Sequence, residues 1–263
     1  PLGALAAVAI LLLSASSPRA AVRVGNFGLE MSALPAATVS NQEQLVAAMR
    51  SSGVKYIRQE LNWSKIETAP DVYDWSAVAP LDLLFTSADE MGVQVVAVLT
   101  GGPVYLAVNG QPVDRKALGD RWEKFVQAAA NNYGDTVDIW EIGNEVNSNR
   151  GLSPFLTPLE PKKATAPDPV FYTKLLHAAY RIIKDVDPND QVWLGSLTGM
   201  SANNCALNPL NFLLEVNSAK GWKYMDAIAY HPSQGADAPE FAAAGSGKSK
   251  CATNLAARPL SQT

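Results

Sequence analysis

Short runs of β-branched and apolar residues alternate along this chain with longer stretches in which apolar residues recur every three to four positions. The first pattern is that of strands and the second that of amphipathic helices. Their regular alternation points to βα units and a parallel sheet. Residues 22–29 read as a first strand. A helix over 41–51 follows, with Leu45, Val46 and Met49 on one face and Ser40 placed to cap it. Residues 55–61 form a second strand, and 80–91 a helix closed by Gly92. Residues 93–99 are almost uninterruptedly β-branched and apolar, as a strand buried on both faces is. The cycle continues with a helix at 115–132, a strand at 137–143 and a helix at 169–187 that carries Leu175, Leu176, Ala179, Ile182 and Ile183 at helical spacing. Then come a strand at 191–195, a helix at 210–217 and a strand at 225–230. Beyond these the pattern dissolves into Gly, Ala, Ser and Lys through residue 250, and no solenoid repeat or dividing linker interrupts the chain.

Six such cycles leave two architectures, an open doubly wound sheet or a closed barrel. A nucleotide-binding open sheet carries a glycine-rich turn after its first strand. Gly25-Asn26-Phe27-Gly28 does not have the G-x-G-x-x-G spacing, and no P-loop occurs. The expected fold is therefore an α/β (β/α)8 TIM barrel, incomplete, with about six βα units and strands seven and eight lacking. Residues 22–263 are read as this one barrel domain.

Composition narrows the partners. The chain has 263 residues, 48% of them hydrophobic, enough for one large core. Its net charge is −4 and no run of Lys or Arg stands out, which argues against a nucleic-acid partner. Residues 2–13 are continuously apolar, small residues follow at 14–17, and then comes Pro18-Arg19-Ala20-Ala21. This reads as the apolar region and cleavage region of a signal peptide over 1–21, and as secreted or periplasmic/extracellular placement. A buried helix or a lipid anchor is the alternative, since the run is too short for a stable membrane span of about 20 residues. Cys205 and Cys251 are not in a C-x-x-C pair, so zinc is not expected; they form a disulfide or stay as two buried thiols. With two histidines in all, no metal and no cofactor are expected. Oligomeric state stays open, with a monomer as the default.

In a parallel barrel the chemistry gathers where strands end and loops begin. Those positions hold Arg58 and Glu60, Thr100, Asn144 and Glu145, Ser196, and Tyr230 and His231. Carboxylates, amide and hydroxyl donors, an arginine and aromatics together suit a sugar, whose hydroxyls want dense hydrogen bonding and whose ring faces stack.

The segment Trp140-Glu141-Ile142-Gly143-Asn144-Glu145 resembles the fourth-strand motif of the clan A glycoside hydrolases, where an Asn-Glu pair ends the strand. Tyr56-Ile57-Arg58-Gln59-Glu60-Leu61-Asn62-Trp63, followed by Ile66-Glu67 and Val72-Tyr73-Asp74-Trp75, is similar to the second-strand region of family thirty-nine and family five enzymes. Ala229-Tyr230-His231-Pro232 resembles the clan's sixth-strand end, and the matches run in order over residues 24–232. The resemblance implies a retaining O-glycosyl hydrolase acting on a β-linked oligo- or polysaccharide. Glu145 would be the general acid/base and Asn144 would bond the sugar 2-hydroxyl. Arg58 would position the second catalytic carboxylate and hold it ionised. Tyr230, His231, Trp63 and Glu60 would meet the substrate. A Glu at the rim beside Trp140 would have its pKa raised by the apolar surroundings.

The clan's nucleophile is a Glu at the end of a seventh strand. The last carboxylate here, Glu240, sits in the loop after the sixth strand and is not assigned that role. The chain is accordingly expected to be a C-terminally incomplete fragment, inactive alone on aryl glycosides. A non-catalytic carbohydrate-binding barrel is the alternative function. A sugar-phosphate or metal-dependent barrel enzyme would need a ligand cluster that two histidines do not supply. Single residues keep bland readings as well. Glu141 is expected to pair with Arg58 or Lys55, Glu60 is as much a partner for Arg58 as a substrate contact, and Trp75 is expected to pack the second helix. His177 is expected to be structural. Residues 147–169 are read as a cleft wall.

Overall fold

A computed structural model describes residues 27–31, 39–106, 114–148, 167–199 and 206–231. The expected signal peptide, both cysteines, Glu240 and most of the 147–169 insertion lie outside them. Six strands form one sheet: β1 Gly28–Glu30, β2 Tyr56–Asn62, β3 Gln94–Thr100, β4 Ile139–Ile142, β5 Gln191–Thr198 and β6 Ala227–His231. Each pairs in parallel with the next strand in the chain. No point of reversal exists in this order, so the crossover helices fall on one side and the sheet curls into a half-barrel. The helices are α1 Val39–Ser51, α2 Ala79–Glu90, α3 Arg115–Tyr133, α4 Pro169–Val186 and α5 Pro209–Ser218, and α1–α2, α3–α4 and α4–α5 pack against each other around the outside.

Local chemistry explains the helix starts. Asp114 accepts from the N–H of Lys116 at the head of α3. Asp168 and Asn208 each cap a helix whose first residue is proline, bonding the two N–H groups that follow. A proline costs nothing there, because a first-turn N–H has no helical partner to lose. Helix α1 begins at Val39, so Ser40 is its second residue and not its cap. Strand β5 runs three residues past its expected end, to Thr198, because a bulge between Leu194 and Leu197 keeps it paired with β6. Between β2 and α2 lie a one-turn helix (Trp63–Ile66), an antiparallel hairpin (Glu67–Ala69 with Val72–Tyr73) and a 3-10 turn (Trp75–Val78). These pieces are too short to leave a periodic signal, and the sequence pattern does not reveal them.

Alternation along the strands divides the sheet into two faces. Ile57 and Leu61, Val95, Ala97 and Leu99, Trp140 and Ile142, and Val192, Leu194 and Leu197 face the helices and join one core with Phe85, Phe125, Leu176 and Phe212. The other face lines the barrel interior. It carries Arg58 and Glu60 of β2, Val96 and Val98 of β3, and Ile139 and Glu141 of β4, set in register across the sheet. Among the described residues no helix is long and apolar enough to cross a membrane.

Candidate active site

The site grows from one buried carboxylate. Glu141 faces the barrel interior and is 1% exposed, where an unpaired charge would be costly. Arg58 meets it with a two-pronged contact, Nε to Oε2 at 2.7 Å and Nη2 to Oε1 at 2.9 Å. The backbone N–H of Ser196 adds a third bond at 2.9 Å. Arg58 also donates to Glu30. Burial alone would lower the guanidinium pKa, but Glu141 and Glu30 outweigh it and push the value up. Of the two partners expected for Glu141, the structure selects Arg58.

From this base the network climbs to the rim. Nη2 of Arg58 donates to Asn144 Oδ1 at 3.0 Å, and the Ser196 hydroxyl donates to the same oxygen at 2.7 Å. Two donors on one oxygen fix the amide's orientation. The Nδ2 donors of Asn144 therefore point away from the network, and among the described residues nothing accepts from them. The Glu145 N–H donates to Ser196 Oγ at 3.0 Å. Its carboxyl Oε1 lies 3.3 Å from His231 Nδ1, with the Glu145 and His231 side chains 25% and 31% exposed, open enough for a ligand to reach.

The turn holding these groups is strained in a defined way. Gly143 has φ +86° and Glu145 has φ +50°, both left-handed. A Cβ on residue 143 would lie 2.6 Å from Val146 Cγ1, so only glycine fits. Asn147, fully buried, holds the turn against β5: it accepts from the Thr198 N–H at 2.8 Å and donates to the carbonyls of Thr198 and Leu207. At the ends of β4 and β5 the Tyr172 hydroxyl donates to the Ile142 carbonyl at 2.8 Å and accepts from the Gly195 N–H at 2.9 Å. It bridges the strands just where their register stops.

Several expected residues land here and others do not. Glu145, Asn144, Arg58 and His231 come together. Glu60 lies on the same interior face, where burial pushes its carboxyl above the usual carboxylate range against the pull of Arg58. Trp63 does not line the site. It is 0% exposed and stacks on Phe125 at 5.0 Å, with its indole N–H on Glu67, because the one-turn helix after β2 swings it under the sheet. Tyr230 is likewise misplaced. Strand alternation sends it to the face opposite His231, where it is 55% exposed. Trp140 is not beside Glu145 either; it faces the helices and donates to Asp190 Oδ2 at 2.8 Å. Trp75 packs inward, but its ring partners are Tyr73 and, edge-on, Tyr133 at the end of α3 and not a residue of the second helix. His177 stacks on Tyr224 at 3.9 Å, away from the site. The residue whose role the sequence reading missed is Ser196, noted there only as a strand end. A serine carries no signature of its contacts, and only the bulge in β5 turns it inward. Among the described residues no His/Cys/Asp/Glu group could hold a metal ion.

Comparison with solved structures finds this half-barrel among glycoside hydrolases. The chain aligns with a family 39 glycoside hydrolase from the gut symbiont Bacteroides cellulosilyticus WH2 with a TM-score of 0.58 and 20% identity, covering 85% of this chain and 41% of that one. It aligns with Fpglu1 from Fervidobacterium pennivoraus at a TM-score of 0.50 and 18% identity, over 74% and 50% of the two chains. A third match is the exo-β-1,4-mannosidase Op5Man5 from Opitutaceae bacterium strain TAV5, at 0.50 and 16%, over 66% and 32%. The chain thus spans half or less of each protein's length. The likeness is one of fold, and it bears out the clan A resemblance at that level. No protein-family profile matches the chain, and no curated protein does.

Proposed function

We propose that this chain carries the acid/base side of a retaining hydrolase that cleaves β-linked O-glycosidic bonds in an oligo- or polysaccharide. One observation carries the reading: at the end of β4 the Glu145 carboxyl and the outward-turned Asn144 amide are held side by side by a network rooted in a buried ion pair. Glu145 protonates the departing glycosidic oxygen and then takes a proton from water. The Nδ2 of Asn144 donates to the sugar 2-hydroxyl oxygen, a bond that strengthens as charge develops at the ring. His231, against Glu145 Oε1, sets the direction of the carboxyl. Arg58 acts by orienting Glu141 and Asn144, and it also holds Glu30. Retention calls for a second carboxylate about 5–5.5 Å from Glu145, and the family resemblance assigns that part to a seventh strand. The apolar run at residues 2–13 supports export, and with it a polymer outside the cell as substrate.

The test is Glu145→Gln in the full-length protein, assayed on a panel of β-linked oligosaccharides and aryl β-glycosides. Turnover should fall by about 10²–10⁴-fold while oligosaccharide binding and the melting temperature stay unchanged. Undiminished turnover in the variant would remove Glu145 from the chemistry. A wild-type protein that binds these sugars without cleaving any would instead be a carbohydrate-binding barrel.

A further inference from the structure

We propose that Ser196 is a positioning residue for this site, holding the left-handed backbone of Glu145 and setting which way the Asn144 amide faces. The proposal rests on the acid/base reading above but names a residue which that reading does not use. Ser196 is 0% exposed, and each of its polar atoms is spent on the β4 side of the site. Its N–H holds Glu141 at 2.9 Å, and its carbonyl accepts from the Val146 N–H at 2.9 Å. The hydroxyl accepts from the Glu145 N–H at 3.0 Å, which leaves its own proton for Asn144 Oδ1 at 2.7 Å. One oxygen thus links the backbone of the proposed acid to the side chain of the residue beside it.

Two features of β5 exist around this contact. The bulge between Leu194 and Leu197 shifts the register and turns Ser196 into the barrel, a device that re-aims side chains next to functional sites. Gly195 lets the two backbones close up, since a Cβ there would lie 2.2 Å from the Ile142 carbonyl oxygen. Glu145 has φ +50°, a conformation residues with a Cβ rarely adopt, and the Ser196 hydroxyl receives its N–H in that state. Without the hydroxyl, Glu145 loses the acceptor that holds its backbone left-handed. Asn144 keeps only Arg58 to orient its amide.

The experiment compares Ser196→Ala and Ser196→Thr with the wild-type full-length protein; Thr keeps the hydroxyl. Two aryl β-glycosides separate proton donation from general damage: the 2,4-dinitrophenyl leaving group departs without a proton, and an unactivated phenyl group does not. In Ser196→Ala, kcat/KM on the phenyl glycoside should fall by roughly 30-fold or more, and on the dinitrophenyl glycoside by about 5-fold, the loss that the loosened Asn144 amide imposes on both substrates, with Thr recovering most of each loss. Equal losses on both, or none, overturn the proposal. Amide hydrogen exchange supplies an arm that does not need turnover. The Glu145 amide should exchange about 10-fold faster in Ser196→Ala, while Val146, bonded to the Ser196 backbone, should not change. An unchanged Glu145 amide overturns the proposal even if the enzyme is active. A wild type that cleaves neither glycoside removes the hydrolase reading, and the exchange result then decides the role of Ser196 alone.

Discussion

Glu67 and Glu141 are both glutamates buried to 1% exposure, and they serve opposite ends. Glu67 gathers the Trp63 indole N–H, the Tyr105 hydroxyl at 2.7 Å and the Asp71 N–H at 3.1 Å, with Arg121 at 3.6 Å. These donors tie the hairpin after β2 to a 3-10 turn after β3 (Val104–Leu106), and through Arg121 the group runs on to Asp71 and Lys124 on the outside of the protein. Glu141 begins a chain instead: Arg58 and Ser196 pass from it to Asn144, Ser196 passes to Glu145, and Glu145 to His231. That chain ends in groups with bonding capacity left over, the Asn144 Nδ2 donors and the Glu145 carboxyl. A network whose buried acceptor is spent on the loops around it holds those loops together. One that finishes with open donors and acceptors at a strand end is built to meet something else.

The sharpest way to break this contrast is Arg58→Met, which leaves Glu141 buried without its cation. The cost should be about 3–5 kcal/mol in urea unfolding, with loss of sugar affinity. Adding Glu141→Leu should return most of the stability and none of the affinity, since an apolar pair replaces the ion pair while Asn144 stays unoriented. Survival of affinity in the double variant would make Glu141 no more a site scaffold than Glu67. Next in size is Glu67→Ala, which strands the buried Trp63 indole N–H and takes the acceptor from the part-buried Tyr105 hydroxyl and the Asp71 N–H. Here about 2–3 kcal/mol should be lost, with oligosaccharide binding unchanged once measured well below the melting temperature. A parallel loss of affinity would show that the two networks are one.

A third buried carboxyl gives the smallest effect. Asp190 has the Trp140 indole as its side-chain donor, and burial, reinforced by Asp187 and Asp138, pushes it to about 6. Its folded-state value lies above its unfolded one, so the folded chain binds this proton more tightly. Stability should therefore rise as pH falls from above 6 toward 4 and gain nothing further below. Asp190→Asn removes this response. The wild type's gain over the variant between pH 7 and pH 5 should be on the order of 1 kcal/mol, read as a relative shift of ~2–4 °C in melting temperature. Identical pH profiles would place Asp190 with the well-paired carboxylates.

Much of this was legible from residue order alone. The repeating strand and helix periods carry the half-barrel, because each strand buries its helix-facing side and each helix its sheet-facing side. Strand ends brought Asn144, Glu145 and His231 together, since the end of a parallel strand is where the backbone delivers side chains to the rim, while Arg58 reaches them from the middle of β2. Misplacements arose where one residue decides a direction. Tyr230 and His231 are neighbours, and a strand can turn only one of them inward. Trp140 and Glu141 divide the same way. Trp63 follows a strand end and reads as a rim aromatic, but a single helical turn is enough to bury it. Ser196 escaped because a bulge shifts its face, and a bulge has no hydrophobic pattern of its own.

The strand order has a consequence for how the protein comes to be. Each strand finds its hydrogen-bonding partners in the units directly before and after it in the chain. The sheet can therefore grow from one edge as the polypeptide leaves the ribosome, each βα unit docking on a surface already formed. Glu145 is synthesised before Ser196 and His231, so its left-handed turn waits about fifty residues for the acceptor on β5, and longer for the histidine on β6. The contacts of the site span β4, β5 and β6, so the set is complete only once the third of these strands has been added.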